Sequence, residues 1–157
     1  PRARMLLVGD GPTRAENERL AGELGVAAEA HFAGARADAT RLMQACDVVV
    51  QATRSPHNGI ASIEAMALSK PIVTVVDNDE ERRMAADTCV EGESGNGFLL
   101  ATTDYEEGAA RVAAALRDPG RLEAMGRTSR RMAEEKFDID SHVERLAALY
   151  ESLARQG

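Results

Sequence analysis

Apolar residues in this chain fall into short continuous runs at 5–8, 30–32, 48–51, 72–76 and 97–100. Glycine, aspartate or proline bounds most of them, the pattern of strands covered on both faces. Between the runs, apolar positions recur every three or four residues, which predicts helices over 13–24, 38–45 and 59–68. Asp38 suits the N-cap of the second, with Leu42, Ala45 and Cys46 on its inner side. The polar stretch 77–93 leaves room for a short helix near 80–86. From Asp104 onward the spacing is helical throughout. One helix runs to about Arg117 with Val112, Ala113 and Leu116 inside, Asp118-Pro119 breaks it, and two more follow over 122–135 and 140–155. In the last, Val143, Leu146, Leu149, Tyr150 and Leu153 repeat at helical spacing and are predicted to be core.

Strands alternating with helices predict right-handed crossovers, hence an α/β fold with a parallel sheet and helices on both faces. The C-terminal helices are expected to pack on that sheet. A parallel sheet offers ligands the crevice beyond the carboxyl ends of its strands. Segments 9–12, 34–38, 53–59 and 77–81 follow strand ends and are expected at that edge.

A length of 157 residues corresponds to one domain over 1–157. The net charge of −7 with a single-digit share of aromatics (3%) argues against nucleic acid, which needs a basic face and stacking rings. No apolar run approaches the ~20 residues of a membrane span. Cys46 and Cys89 form no CxxC pair, and two small thiols of this kind suit a reducing, cytoplasmic setting. The chain opens at Pro1, not Met, just before a strand, and is expected to be a piece of a longer protein lacking at least a first strand–helix unit.

The most informative segment is 55–71, SPHNGIASIEAMALSKP. A glycine at a helix mouth lets a ligand approach the backbone, and the free N–H groups there favour anions. Glu64, about one turn in, points back toward that mouth because helical side chains tilt N-terminally. Such a site suits a molecule carrying both phosphate and vicinal hydroxyls. Glu64 is equally explained as a carboxylate stabilised by the helix dipole, worth ~0.3–1 kcal/mol. Arg54 stands at a strand end where an anion is welcome, and His57 can bond a phosphate or sugar hydroxyl. Both also read as solvated surface residues. His31 and His142 have no partner at metal-ligand spacing, so no metal and no cofactor is expected. Gly9-Asp10-Gly11-Pro12 begins a dinucleotide fingerprint but has Arg14 where the third glycine belongs, leaving an NAD-binding oxidoreductase as a minor alternative.

In order and spacing, LLVGDGP (6–12), HFAG (31–34), MQACDVVVQAT (43–53), GIASIEAMALSKPIV (59–73), GFLL (97–100) and DPGRLEAMG (118–126) resemble the C-terminal half of family 4 retaining glycosyltransferases. FDIDSHVERLAALY (137–150) extends the resemblance. It implies a Rossmann-like domain that holds a UDP-, GDP- or ADP-sugar and faces a second such domain across a cleft. The sugar is transferred with retention, usually without an essential metal. Glu64 resembles the second glutamate of the E-x7-E motif, which holds the donor ribose. Gly59 and Ile60 resemble the turn that meets diphosphate and sugar. Gly11 falls in the first strand-end turn of the same crevice, and Arg36 follows the glycine that lies near the base.

The chain departs from the family pattern in three places. Pro56 replaces the first glutamate, Asn78-Asp79 replaces a Gly-Gly phosphate loop, and the family's catalytic Arg and Lys belong before residue 1. The resemblance therefore places no catalytic residue in this chain. Acceptor choice, and any peripheral membrane association, is expected to lie in the absent N-terminal domain. The rival expectation from another class is a non-catalytic Rossmann-like interaction domain, motivated by Pro56 and the acidic run 77–81.

Overall fold

A computed structural model describes residues 3–52 and 59–155. The chain divides into two compact units, Pro1–Leu42 and Met43–Gly157. The first unit is a β–α–β crossover: β1 (Met5–Val8), α1 (Arg14–Glu23) and β2 (Ala30–Gly34). The two strands pair in parallel from Met5 opposite Ala30 to Val8 opposite Gly34, with one irregularity between Leu7 and Val8. Gly25 ends α1 at a φ of 70°. That left-handed turn lets Val26 N–H donate to Ala21 O (2.9 Å) and Gly25 N–H to Gly22 O (3.1 Å), closing the last carbonyls of the helix.

Helix α2 (Ala39–Gln44) contains the division between the units and buries none of its residues. Met43, rather than the expected Ala45 face, is its residue packed on a core. The second unit continues with β3 (Val49–Gln51), α3 (Ile60–Ala67), β4 (Ile72–Val76), α4 (Asp79–Ala85) and β5 (Gly97–Ala101). Helices α5 (Tyr105–Ala115), α6 (Pro119–Phe137) and α7 (Ile139–Ala154) complete it. Its three strands pair in parallel in the order β3-β4-β5.

Strand alternation divides the core of this unit between the two faces of the sheet. Ile72, Val76 and Leu99 pack with Ala65 and Met66 of α3, Ala85 of α4, Cys89, and Met132 and Ala133 of α6. Val73 and Phe98 point the other way, against Ala115 of α5 and Met125 of α6. Full burial of each large apolar side chain contributes roughly 1.5–3 kcal/mol. A polar pin joins distant segments beneath this core. Asn96, fully buried, accepts from Val90 N–H (2.8 Å) and donates to Thr88 O (2.8 Å) and Ser129 Oγ (3.2 Å). Ser129 Oγ in turn donates to Lys70 O (2.7 Å).

Two expectations are corrected here. The chain does break before Asp118-Pro119, but α6 starts at Pro119 and not at 122: Asp118 Oδ1 accepts from Arg121 N–H (3.0 Å) and Pro119 is the first residue of the helix, where its missing N–H costs nothing. Helix α7 is not core. Val143, Leu146, Leu149, Tyr150 and Leu153 are all exposed, as is Ile139, and the helix buries no residue. Its apolar stripe is not buried by any of the described residues, which periodicity alone does not reveal.

Candidate functional site

The site begins where β3 gives way to α3. Gly59 is the N-cap of α3, in extended conformation (φ −63°, ψ 144°). The end of the Gln51 side chain lies close by: a Cβ at Gly59 would stand 2.9 Å from Gln51 Nε2. No side chain among the described residues caps this end, and no acidic residue occupies the first turn. Ser62 N–H turns back to Gly59 O (2.9 Å), and no side chain among the described residues takes the N–H groups of Ile60 and Ala61.

The buried face of α3 is Ser62, Ala65 and Met66. Ala65 and Met66 pack into the core with Ile72 of β4 and Met132 and Ala133 of α6, and Ile60 is left 75% exposed at the helix mouth. Glu64 is exposed on the same side, four residues on from Ile60, so the two stand one above the other. Its carboxylate makes no ion pair or hydrogen bond within the described residues. The far end of α3 is fixed tightly. Ser69 adopts a left-handed φ of 57°, and Lys70 N–H and Ser69 N–H return to Ala65 O and Met66 O, both at 2.9 Å. Arg130 Nη1 donates to Ala67 O (2.7 Å), placing a cation at the carbonyl end of the helix dipole.

The next strand end along the same sheet has a different character. Asn78 caps α4, its Oδ1 accepting from Glu81 N–H (2.9 Å), while Glu81 Oε2 accepts from Asp77 N–H (2.7 Å). Asp79, Glu80 and Glu81 fill the first turn. This reciprocal capping consumes backbone donors that a Gly-Gly turn would leave open. The short hydrophobic β4 feeding into a capped acidic turn accounts for the run 77–81 as local helix chemistry.

In the first unit, Gly9 N–H donates to Gly34 O (2.8 Å), joining the two strand-end turns. Gly11 N–H is already taken by Asp10 Oδ1 (2.9 Å). Arg14 donates to Glu18 (2.8 Å) and reaches Asp10 and Phe32 O at 3.5 Å each. An acid and a bulky cation thus fill the region where a dinucleotide fingerprint would seat a pyrophosphate, which disfavours the NAD alternative. Arg36 is held by both oxygens of Asp38 at 2.7 and 2.8 Å. That pairing raises the Arg36 guanidinium and lowers the Asp38 carboxyl from their ordinary ranges, each chiefly through the hydrogen bond to the other.

Arg54 and His57, together with Pro56, lie outside the described residues. Both lysines stand away from the α3 mouth in the fold: Lys70 precedes the amino end of β4, and Lys136 donates to Asp87 O (3.4 Å). Among the described residues, no three His, Cys, Asp or Glu side chains are grouped to hold a metal. No described helix is long and apolar enough to cross a membrane. Sequence reasoning missed the Glu81–Asp77 contact, although Asn78-x-x-Glu81 is legible as a capping box.

Comparison with known proteins gives these arrangements a context. A family model described as glycosyl transferases group 1 matches residues 1–132. The capsular polysaccharide biosynthesis glycosyltransferase CapM of Staphylococcus aureus is 29% identical over 110 residues, covering 70% of this chain and 27% of CapM. The structure of Anabaena HepE in complex with UDP superposes with a TM-score of 0.80 at 26% identity, over 97% of this chain and 42% of HepE. HepE in complex with UDP-glucose gives a TM-score of 0.78 at the same identity and coverage. The sucrose-phosphate synthase of Thermosynechococcus elongatus, 23% identical with a TM-score of 0.76, shares the fold over the whole chain and 40% of its own length. The chain thus spans about a quarter of the curated relative and about two-fifths of these solved structures.

Proposed function

Because the chain belongs to the glycosyl transferases group 1 family, we propose that it forms the donor-binding half of a retaining glycosyltransferase. It holds a nucleoside-diphosphate sugar, and the sugar passes to an acceptor carried on a separate N-terminal domain. The observation that carries this reading is the start of α3: a helix mouth at Gly59 that no side chain caps among the described residues, with Glu64 exposed one turn behind it. The mouth offers backbone N–H groups to the diphosphate, and Glu64 offers two acceptor oxygens to the ribose hydroxyls. Among nucleotides, uridine diphosphate is favoured by the likeness to a protein solved with UDP and UDP-glucose.

In sugar transfer the departing nucleoside diphosphate gathers negative charge as the anomeric bond breaks. Preorganised dipoles aimed at that charge lower the barrier. This chain contributes the α3 dipole and the ribose clamp, while the neutralising cations and the acceptor site come from outside it. No metal is required by this arrangement, and the reaction belongs in the cytoplasm with any membrane association through the other domain. The chain alone is therefore a binding module that turns nothing over.

Calorimetric titration of the chain with UDP, GDP and ADP tests this directly. UDP is expected to bind at millimolar or better affinity. Glu64→Ala is expected to weaken it at least tenfold, about 1.4 kcal/mol, without lowering the melting temperature. An unchanged affinity removes the ribose role of Glu64. Silence toward every nucleotide would leave the non-catalytic interaction domain as the better description.

A further inference from the structure

Asn96 and Gly97 stand together because the fold demands each of them separately. The Asn96 side chain spends both ends of its amide. Its Oδ1 accepts from Val90 N–H (2.8 Å), and its Nδ2 donates to Thr88 O (2.8 Å) and Ser129 Oγ (3.2 Å). Gly97 is fixed by space instead: a Cβ there would meet Ile72 O at 2.1 Å and Cys89 Sγ at 2.7 Å. Packing therefore writes Asn-Gly into the chain. In that dipeptide a side-chain amide is most open to attack from its own backbone, since glycine has no Cβ to shield its nitrogen or restrict its approach.

We propose that Asn96 is a deamidation site that the folded chain keeps closed, and that its conversion makes unfolding irreversible. In the reaction Gly97 N attacks Asn96 Cγ. A C–N bond forms, the Cγ–Nδ2 bond breaks, and Nδ2 leaves as ammonia with the proton lost from Gly97 N–H. Water then opens the cyclic imide at either carbonyl, returning a proton to the nitrogen and leaving aspartate or isoaspartate. The folded geometry opposes the first step: the amide is held by its three hydrogen bonds, Gly97 N–H donates to Val90 O (3.2 Å), and Gly97 is fixed opposite Ile72 at the start of β5. Reaction therefore waits for this region to open, at the unfolded rate multiplied by the open fraction. The product cannot rebuild the pin. Thr88 O would lose its Asn96 donor, and Ser129 Oγ, which donates to Lys70 O (2.7 Å), has no proton left to offer a carboxylate. A buried, unpaired charge is costly. Isoaspartate also lengthens the backbone beside Gly97 and so breaks the register of β5 on β4.

The test holds the full chain, folded in buffer or unfolded in guanidinium chloride, at one mildly alkaline pH, then dilutes it to refold. Mass-spectrometric peptide mapping follows Asn96. Because Asn58-Gly59 is also an Asn-Gly pair, the Asn58→Gln variant is run in parallel to assign any loss of refolding to Asn96. Conversion of Asn96 is expected to be at least about tenfold slower in the folded chain. Refolding yield is expected to fall in step with conversion, with Asn96 intact in the refolded fraction, and an unfolded hold at mildly acidic pH is expected to preserve both. Three results would each overturn the proposal: equal conversion in folded and unfolded chains, converted chains that refold with an unchanged denaturation midpoint, or refolding lost equally in the acidic hold.

Discussion

Cys89 is 1% exposed, and burial pushes its thiol up to about 12, with Thr74 and the charge of Arg111 only partly offsetting the desolvation. A raised thiol means the unfolded chain loses its proton first as pH climbs past about 9. Folding stability then falls between about pH 9 and 12, by up to about 1.4 kcal/mol per unit. Urea unfolding at pH 8 and pH 10.5 is expected to show this loss, and Cys89→Ala is expected to flatten it. An identical slope in the variant would assign the loss to other groups. The residues of the candidate site were legible to different degrees for a related reason. Gly59 and Glu64 could be read from local spacing, since a helix start and a position one turn inside it are short-range facts. Asn96 could not: it sits in Ser94-Gly95-Asn96-Gly97, which reads as loop, and its burial depends on Ser129 and Lys70, far away in the chain.

At the scale of elements, strands were legible because both-face burial writes itself as continuous apolar runs, and β4 falls where the run predicts it. Helix faces were less so. On α3 an apolar Ile60 suggests a buried position, yet Ser62, Ala65 and Met66 are the residues the helix buries. The end of α3 and helix α6 approach closely at Gly126, where a Cβ would meet Ser69 O at 2.3 Å. Gly126→Ala is expected to destabilise by about 1–3 kcal/mol through forced separation of the two elements. Gly22→Ala, in open space on α1, is expected to stabilise by about 0.5–1 kcal/mol from helix propensity alone. Paired denaturation curves check both, and a neutral Gly126→Ala would show that α3 and α6 yield easily.

Across the whole chain, the α/β class followed from element order, whereas the placement of α7 did not. Periodicity reports that a helix has an apolar side; it carries no information about what covers that side. With Leu146 and Leu149 exposed, their joint replacement by glutamine is expected to change unfolding free energy by less than about 0.5 kcal/mol. Met132→Ala, in the core beside Ile72 and Leu99, is expected to cost about 2–5 kcal/mol. Equal losses in urea titrations would mean that α7 packs in solution.

The lock between Ser69 and Gly126 also bears on how a ligand is received. Eight residues of helix make a rod only about 12 Å long, and its rear is bolted to the nineteen-residue α6 by backbone contact and by Arg130. Such a rod cannot swivel by itself; tilting it drags its heavier neighbour along. If the mouth of α3 receives a diphosphate as proposed, the helix would need little reshaping to do so.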